Sequence, residues 1–240
     1  MKVMILAAGL GKRMLPLTRH TPKPLLEAGG KPLIVFHLEH LYRAGFKEVV
    51  INTAHLGEQI EASLGNGDDY GLSIRYSHEN PSLETAGGII NALPLLGDEP
   101  FLIINGDVWC DLPLVSFLSC GQSLSDKHLA HLVLVNNPSH NSGGDFILDR
   151  SCPRDGFKDA FSLKNKATED KEAAYTYSGI CVLSPKLFDG YPAGSRPLAP
   201  LLRAAIERGN VSGQLYQGSW CDVGTPERLK ELDQFLAASC

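Results

Sequence analysis

An open α/β sheet, doubly wound, mixed but mostly parallel and held in a single domain, is the fold that this sequence predicts. Three observations carry that prediction. Short apolar runs alternate with segments of helical spacing, the order that builds strand–helix–strand crossovers. The first apolar run, Val3–Leu6, opens straight into a loop of small and basic residues. A later run, Phe101–Asn105, ends in Asn105-Gly106-Asp107. In doubly wound sheets ligands sit outside the carboxyl ends of the strands, where both segments would lie.

Taken in order, Val3–Leu6 reads as a buried strand. Leu33–Ala44 has helical spacing, with Pro32 in a first-turn position and Gly45 as a stop. Val49–Asn52 is a strand, Leu56–Leu64 a helix ended by Gly65, and Leu72–Tyr76 a strand. Ala86–Leu93 is a helix that starts on glycines, and Phe101–Asn105 and Leu129–Val135 are apolar strands. Residues 138–174 are richer in polar, Gly and Pro residues and carry only short strand-like pieces. The charge-rich 164–172 reads as a solvated loop. Tyr175–Leu183 alternates as a strand, and Pro197–Arg208 is helical. Val211–Tyr216 and Ser219–Val223 are strands, and Thr225–Leu236 is a helix capped by Thr225 with Pro226 at its first position. Within one domain, residues 1–135, which carry the basic glycine loop, are expected to be mainly nucleotide-binding, and residues 136–240 to shape the substrate side.

Composition narrows the class. The 240 residues suffice for one sizeable core, and 43% hydrophobic with 20% charged residues are ordinary globular values. A net charge of −5 argues against a nucleic-acid partner. No apolar run approaches membrane-spanning length, so no membrane partner is expected and the cytoplasm is the default location. The six cysteines form no Cys-x-x-Cys pair; Cys110 and Cys221 read as packing neighbours rather than nucleophiles. The eight histidines form no metal motif, and Ser178-Gly179 lacks a hydrolase elbow.

The loop after the first strand carries the chemistry. Gly9 and Gly11 let the backbone bend and approach a ligand, and exposed N–H groups there would form an anion site. Lys12, Arg13 and Lys23 surround it, which points to a polyphosphate. It is not a dinucleotide fingerprint, because Met14 stands where the third glycine belongs. It is not a P-loop, because Arg13 follows Gly11-Lys12 and the earlier glycine is missing. Pro16, Pro22 and Pro24 stiffen the segment.

The run Ala7-Ala8-Gly9, Gly11, Arg13, Pro16-Leu17-Thr18 and Pro22-Lys23-Pro24 resembles the signature of the sugar-nucleotidyltransferase (nucleotide-sugar pyrophosphorylase) family. The resemblance extends to the end of the chain and implies a Rossmann-like nucleotide-diphospho-sugar transferase fold. It also implies transfer of a nucleotidyl group from a nucleoside triphosphate to a sugar 1-phosphate, with Mg2+ as cofactor. Asp107 and Asp222, the latter in Trp220-Cys221-Asp222-Val223-Gly224-Thr225, match the family's metal ligands. Read alone, either could be a turn former or a helix cap. Arg13 would grip the β and γ phosphates, where its fork suits paired oxygens. Lys23 would reach the reacting phosphates and the sugar phosphate, so Arg13, Lys23 and Asp107 are the expected catalytic set.

The resemblance assigns nucleotide binding to Ala7, Ala8, Gly9, Gly11, Lys12, Arg13, Thr85, Gly87 and Gly88. Glu84 replaces the family's glycine; it either contacts the base or caps the helix. Asn105, Gly144, Asp145 and Ser178 fall to the sugar phosphate side, with Lys23. The Glu-Lys-Pro of many relatives is missing; the nearest text is Phe161-Ser162-Leu163-Lys164-Asn165-Lys166. With that absence, and with Gly143-Gly144-Asp145-Phe146, the chain most resembles the family's cell-wall recycling branch, and the resemblance implies UTP and N-acetylmuramate 1-phosphate as substrates. Mannose 1-phosphate guanylyl and glucose 1-phosphate uridylyl or thymidylyl transfer are the alternatives. A catalytically silent nucleotide-sugar sensor is the alternative of another class.

Overall fold

The computed structural model describes residues 1–120, 124, 127–157, 159–167 and 173–238. Residues 168–172 of the expected charge-rich loop, and Cys240, lie outside the described residues. In chain order β1 is Val3–Leu6, and β2 (Glu27–Ala28) and β3 (Lys31–Pro32) form a two-strand ladder before α1, Leu33–Ala44. Next come β4 (Glu48–Thr53), α2 (Gly57–Leu64), β5 (Ser73–His78), α3 (Glu84–Leu96), β6 (Phe101–Asn105) and β7 (Val108–Cys110). The short α4 (Phe117–Cys120) precedes β8 (Ala130–Val135), β9 (Phe146–Pro153), β10 (Phe161–Asn165) and β11 (Ala174–Leu183). α5 (Ala199–Glu207), β12 (Val211–Tyr216), β13 (Trp220–Asp222) and α6 (Pro226–Ala238) complete the order.

Nine strands form one sheet in the order β5-β4-β1-β6-β11-β8-β12-β10-β9. β5, β4, β1 and β6 run parallel, and β12 is parallel to β8; β11 lies antiparallel between β6 and β8. Strand side chains alternate between two apolar layers. Val3 and Ile5 join the cluster under α1 and α2, while Met4 joins the one under α3 and α5. Each such fully buried aliphatic side chain stabilises the fold by about 1.5–3 kcal/mol. A third cluster pins Met14 of the opening loop against Leu26, Leu33, Val223 and Leu232.

The chain winds outward from β1 to β4 and β5, then α3 returns it to β6 on the other side of β1. The switch point between β1 and β6 opens a crevice at the strands' carboxyl ends. Leu6 is in register with Asn52 of β4 and Asn105 of β6, so both asparagines stand at its rim.

α1 and β6 have the expected bounds, and Gly45 closes α1 at φ 91°. α3 runs past its expected end at Leu93, through Pro94, to Leu96. Burial of Ala92 and Leu96 offsets the missing hydrogen bond, and Lys2 and Arg75 bond the terminal carbonyl of Leu95. The polar 138–174 segment holds two true strands, β9 and β10, paired antiparallel at the sheet edge. They escape pattern reading because β9 is buried at its start and exposed along its second half, without period two.

Candidate functional site

The crevice is a cleft of about 330 Å3. Its wall brings together Ala7, Ala8, Gly9, Gly11, Lys12 and Arg13 of the loop with Lys23, Thr85, Asn105 and Asp107. A second cleft of about 550 Å3 holds Asp222. Gly87, Gly88, Gly144, Asp145 and Ser178 line neither.

The loop is tied from behind and open in front. Thr18 Oγ donates to the Gly11 carbonyl at 2.8 Å, and Met14 N–H donates to the same oxygen at 2.8 Å. Gly11 sits at φ 59°, and a Cβ there would stand 2.8 Å from Thr18 Cγ2, so glycine is required. Ala7 N–H is already committed, donating to Asn52 Oδ1 at 2.7 Å. Among the described residues the N–H groups of Gly9, Leu10 and Gly11 have no protein acceptor. With exposed Lys12 and Arg13 beside them, they form a concave donor surface suited to phosphate oxygens.

Behind the loop lies a polar cluster that sequence reasoning missed. Asn52 Nδ2 donates to Glu79 Oε1 at 2.7 Å, and Leu83 N–H donates to Glu79 Oε2 at 2.7 Å. Both side chains are buried. One amide and one carboxylate thus join the β1 loop to the start of α3, the two walls of the cleft. The available signal was Asn52 closing an apolar strand, the pattern that singled out Asn105. Glu84 opens α3 at φ 59°, a left-handed conformation that disfavours a side chain. The backbone keeps the glycine-type bend, and the carboxylate lines the cleft. Gly87 and Gly88 sit one turn deeper. Gly87 N–H donates to the Arg196 carbonyl at 3.1 Å, and a Cβ on Gly88 would run into Glu79. Their place in the fold is close packing beneath the nucleotide wall.

A two-strand ladder links the backbone segments that carry the two carboxylates. β13 pairs with β7 so that Asp222 opposes Val108, and Val223 N–H donates to the Asp107 carbonyl at 2.7 Å. Lys23, held between Pro22 and Pro24, donates from Nζ to Asp107 Oδ2 at 2.6 Å, with its side chain 11% exposed. Asp222 Oδ1 accepts from Arg228 Nη1 and lies 3.0 Å from His140 Nε2. Asp107 in the first cleft and Asp222 in the second are the carboxylates that could serve Mg2+, which takes one or two protein oxygens and fills its shell with water and phosphate. No cluster of three or more His, Cys, Asp or Glu able to hold a metal exists among the described residues. Burial pushes the Cys110 and Cys221 thiols up to about 12 and about 11, which suits packing rather than nucleophilic attack.

The remaining expected sugar residues have structural employment. Asp145 Oδ2 accepts from Tyr177 N–H at 2.8 Å and both its oxygens face Asn141. Gly144 turns at φ 66° against Ala174. Ser178 Oγ is buried and accepts from Ile180 N–H at 3.2 Å, inside an irregularity of β11. Its carbonyl accepts from Trp220 Nε1 at 2.9 Å and so orients an aromatic wall of the second cleft. Asn105 is packed by Gly179, where a Cβ would stand 2.8 Å from its Nδ2.

A glycine loop and a lysine–carboxylate pair at one sheet crevice, with a second carboxylate in the other cleft, fit a nucleotidyl-transfer scaffold. The chain belongs to the Nucleotidyl transferase family, whose profile matches residues 2–239, and is a sugar 1-phosphate nucleotidyltransferase. It is 49% identical over 240 residues to an N-acetylmuramate alpha-1-phosphate uridylyltransferase of Neisseria meningitidis serogroup B, with 99% of each chain covered. A protein of the same description from Caulobacter vibrioides is 32% identical, covering 98% of this chain and 96% of its own. A Bacillus anthracis structure assigned as a glucose-1-phosphate thymidylyltransferase superposes with a TM-score of 0.81 at 21% identity, covering 98% of this chain and 94% of that one. It speaks for the fold alone. No helix among the described residues is long and apolar enough to cross a membrane.

Proposed function

We propose that this protein joins UTP to N-acetyl-α-muramate 1-phosphate, releasing pyrophosphate and forming UDP-N-acetylmuramate for cell-wall recycling. The observation that carries the reading is the 49% identity, across the whole length of both chains, to the meningococcal enzyme of that description. The geometry supports the division of labour. The loop N–H groups and Arg13 receive the triphosphate, and Arg13 holds the departing β and γ phosphates. Lys23 sits where its amine can move from Asp107 to the reacting α-phosphate and the incoming sugar phosphate. Asn105 stands beside it at the rim.

Asp107 and Asp222 are the residues that would hold Mg2+. When bound, that ion neutralises charge on the reacting phosphates and leaving group. The sugar phosphate oxygen attacks the α-phosphorus in line, and pyrophosphate departs toward Arg13. Thr85, Glu84 and the loop form the nucleotide side, while the second cleft, lined mainly by residues after 135, forms the sugar side. That layout supports the division of the domain near residue 135.

A panel of nucleoside triphosphates against sugar 1-phosphates, read by pyrophosphate release, tests the reading. Highest kcat/KM is expected for UTP with N-acetylmuramate 1-phosphate. Brisk turnover of GTP with mannose 1-phosphate, beside none for the proposed pair, would refute it.

A further inference from the structure

The second cleft contains a guanidinium that nucleotide chemistry does not use. Arg228 lies in the first turn of α6, whose start is fixed by Thr225: Arg228 N–H donates to Thr225 Oγ at 3.4 Å. Its side chain folds back over Gly224, where any Cβ would overlap the guanidinium. Gly224 lines the first cleft and Arg228 the second, so the guanidinium stands at the junction of the two. Its side chain is 15% exposed. Nη1 faces His140 at 2.7 Å from Nε2 as well as Asp222.

We propose that the second cleft is an acidic-sugar subsite in which Arg228, with His140 beside it, receives the sugar's carboxylate. This rests on the uridylyltransferase reading above, because N-acetylmuramate differs from N-acetylglucosamine by a lactyl ether that ends in a carboxylate. Four features support the assignment. The volume of about 550 Å3 accommodates a substituted hexose. Trp220, oriented through its indole N–H by the Ser178 carbonyl, offers a flat wall for a sugar face. Arg228 and His140 are the basic side chains of that wall, whereas its other ionisable groups include acidic Asp222 and Glu231. A planar guanidinium matches a carboxylate with paired hydrogen bonds.

None of the other arginines in residues 136–240 lines the second cleft. Arg196 lines neither cleft and lies over the Tyr191 ring, 5.2 Å from its centroid. Arg203 lies on α5, its carbonyl accepting from Asn165. Lys166 donates to the Gly143 carbonyl at 2.5 Å, outside the second cleft's wall. Engagement of Asp222 by the reacting phosphates' counter-ion would release Arg228 to the substrate carboxylate, so one guanidinium serves an acidic group in either state.

The test uses Arg228→Gln and Arg228→Lys in the full chain, with UTP fixed and N-acetylmuramate 1-phosphate or N-acetylglucosamine 1-phosphate varied. The readout is the ratio of the two kcat/KM values, in which any common loss through Asp222 cancels. Arg228→Gln is expected to lower the ratio about 10- to 100-fold, mostly through KM for the muramate, with partial recovery in Arg228→Lys. A wild-type comparison with the lactyl amide of N-acetylmuramate 1-phosphate needs no folded variant. The amide is expected to lose a similar factor on the wild type, measured by kcat/KM and by calorimetric affinity, and to lose little more on Arg228→Gln. Equal losses on both sugars overturn the proposal, as does an amide bound as well as the acid, or a ratio that collapses in Lys166→Gln instead. A wild type that turns over neither sugar phosphate with UTP sinks the uridylyltransferase reading itself. Muramate turnover indifferent to Arg228 sinks only this inference.

Discussion

Asn52→Ala should destabilise this enzyme far more than an ordinary strand-end substitution, and should loosen its hold on nucleotide. The amide bonds Ala7 N–H at 2.7 Å and Glu79 at 2.7 Å, and Asn52 is 3% exposed. Removing it orphans one buried backbone donor, worth about 1–3 kcal/mol, and takes from Glu79 one of its donors, worth about 1.5–3 kcal/mol. Allowing for partial relaxation, the expected loss is roughly 3–5 kcal/mol, a large share of a typical folding free energy of about 5–15 kcal/mol. At about 2–4 °C per kcal/mol for a chain of this size, Tm should fall by roughly 10 °C. Urea titration should show a lower midpoint at unchanged slope. KM for the nucleoside triphosphate should rise, because Ala7 and Leu83 hang from the same cluster. Asn52→Asp keeps the acceptor for Ala7 but sets a second carboxylate against Glu79. Its defect should therefore shrink on acidification, as the two carboxyls come to share a proton. A loss under about 1 kcal/mol in Asn52→Ala, against the cost of a buried orphan donor, would refute the reasoning.

Lys23→Ala should cut kcat by about 100- to 1000-fold while the fold survives, since its amine bonds Asp107 and is proposed to serve the reacting phosphates; unchanged single-turnover kinetics would remove it from the site. Asp107→Asn should lower turnover at least about a hundredfold and weaken Mn2+ binding measured in the presence of nucleotide; full activity would exclude a metal role. Gly88→Ala should cost about 1–3 kcal/mol by pressing on Glu79 and on Asn52 Nδ2, 3.0 Å from the added Cβ, read by calorimetry. Stability should also fall on acidification through His37. Burial, with the neighbouring His40 adding to it, lowers its pKa from 6.5 to about 4, and its Nε2 is buried without a partner. Between those values the unfolded chain binds the proton and the folded one does not. Stability present above pH 6.5 is therefore lost as pH falls toward 4, by about 3 kcal/mol in all. His37→Gln should flatten that part of the pH–stability curve measured by urea unfolding.

What could be read from the sequence and what could not divide along a physical line. Val3–Leu6 and Phe101–Asn105 have their expected bounds because parallel strands covered on both faces leave unbroken apolar runs. The loop could be picked out as a candidate site for a related reason: Gly9, Gly11, Arg13 and Lys23 fall within one short segment, so their types and spacing are visible together. The strand β9 was hidden because its exposed half, from Asp149 onward, shows the polarity of a loop, and only its pairing with β10 makes it a strand. The Asn52–Glu79 pair was hidden because the partners are far apart in sequence and meet through the β4–β5 register. Gly87, Gly88 and Ser178 illustrate a third limit. A motif names residue types, but a glycine needed for a ligand and one needed for packing look alike until the neighbouring atoms are known.

The pairing of charges is the feature that most changes how the site works. Read singly, Lys23 and Arg13 hold phosphates, and Asp107 and Asp222 hold a metal. In the folded chain each carboxylate already has a cation: Lys23 for Asp107 and Arg228 for Asp222. Partly buried carboxylates left without a partner would oppose folding. The two ion pairs remove that conflict in the empty enzyme. They also fix where charge can go when substrates arrive, because each carboxylate that turns to a divalent ion frees one cation for an anionic group of the substrate. On the proposed reading Lys23 would then face the reacting phosphates from the first cleft, and Arg228 the acceptor sugar from the second. On that reading the site would exchange partners without changing its number of charges, so an incoming triphosphate and an acidic sugar would be met by groups already in place rather than by groups that must be desolvated anew.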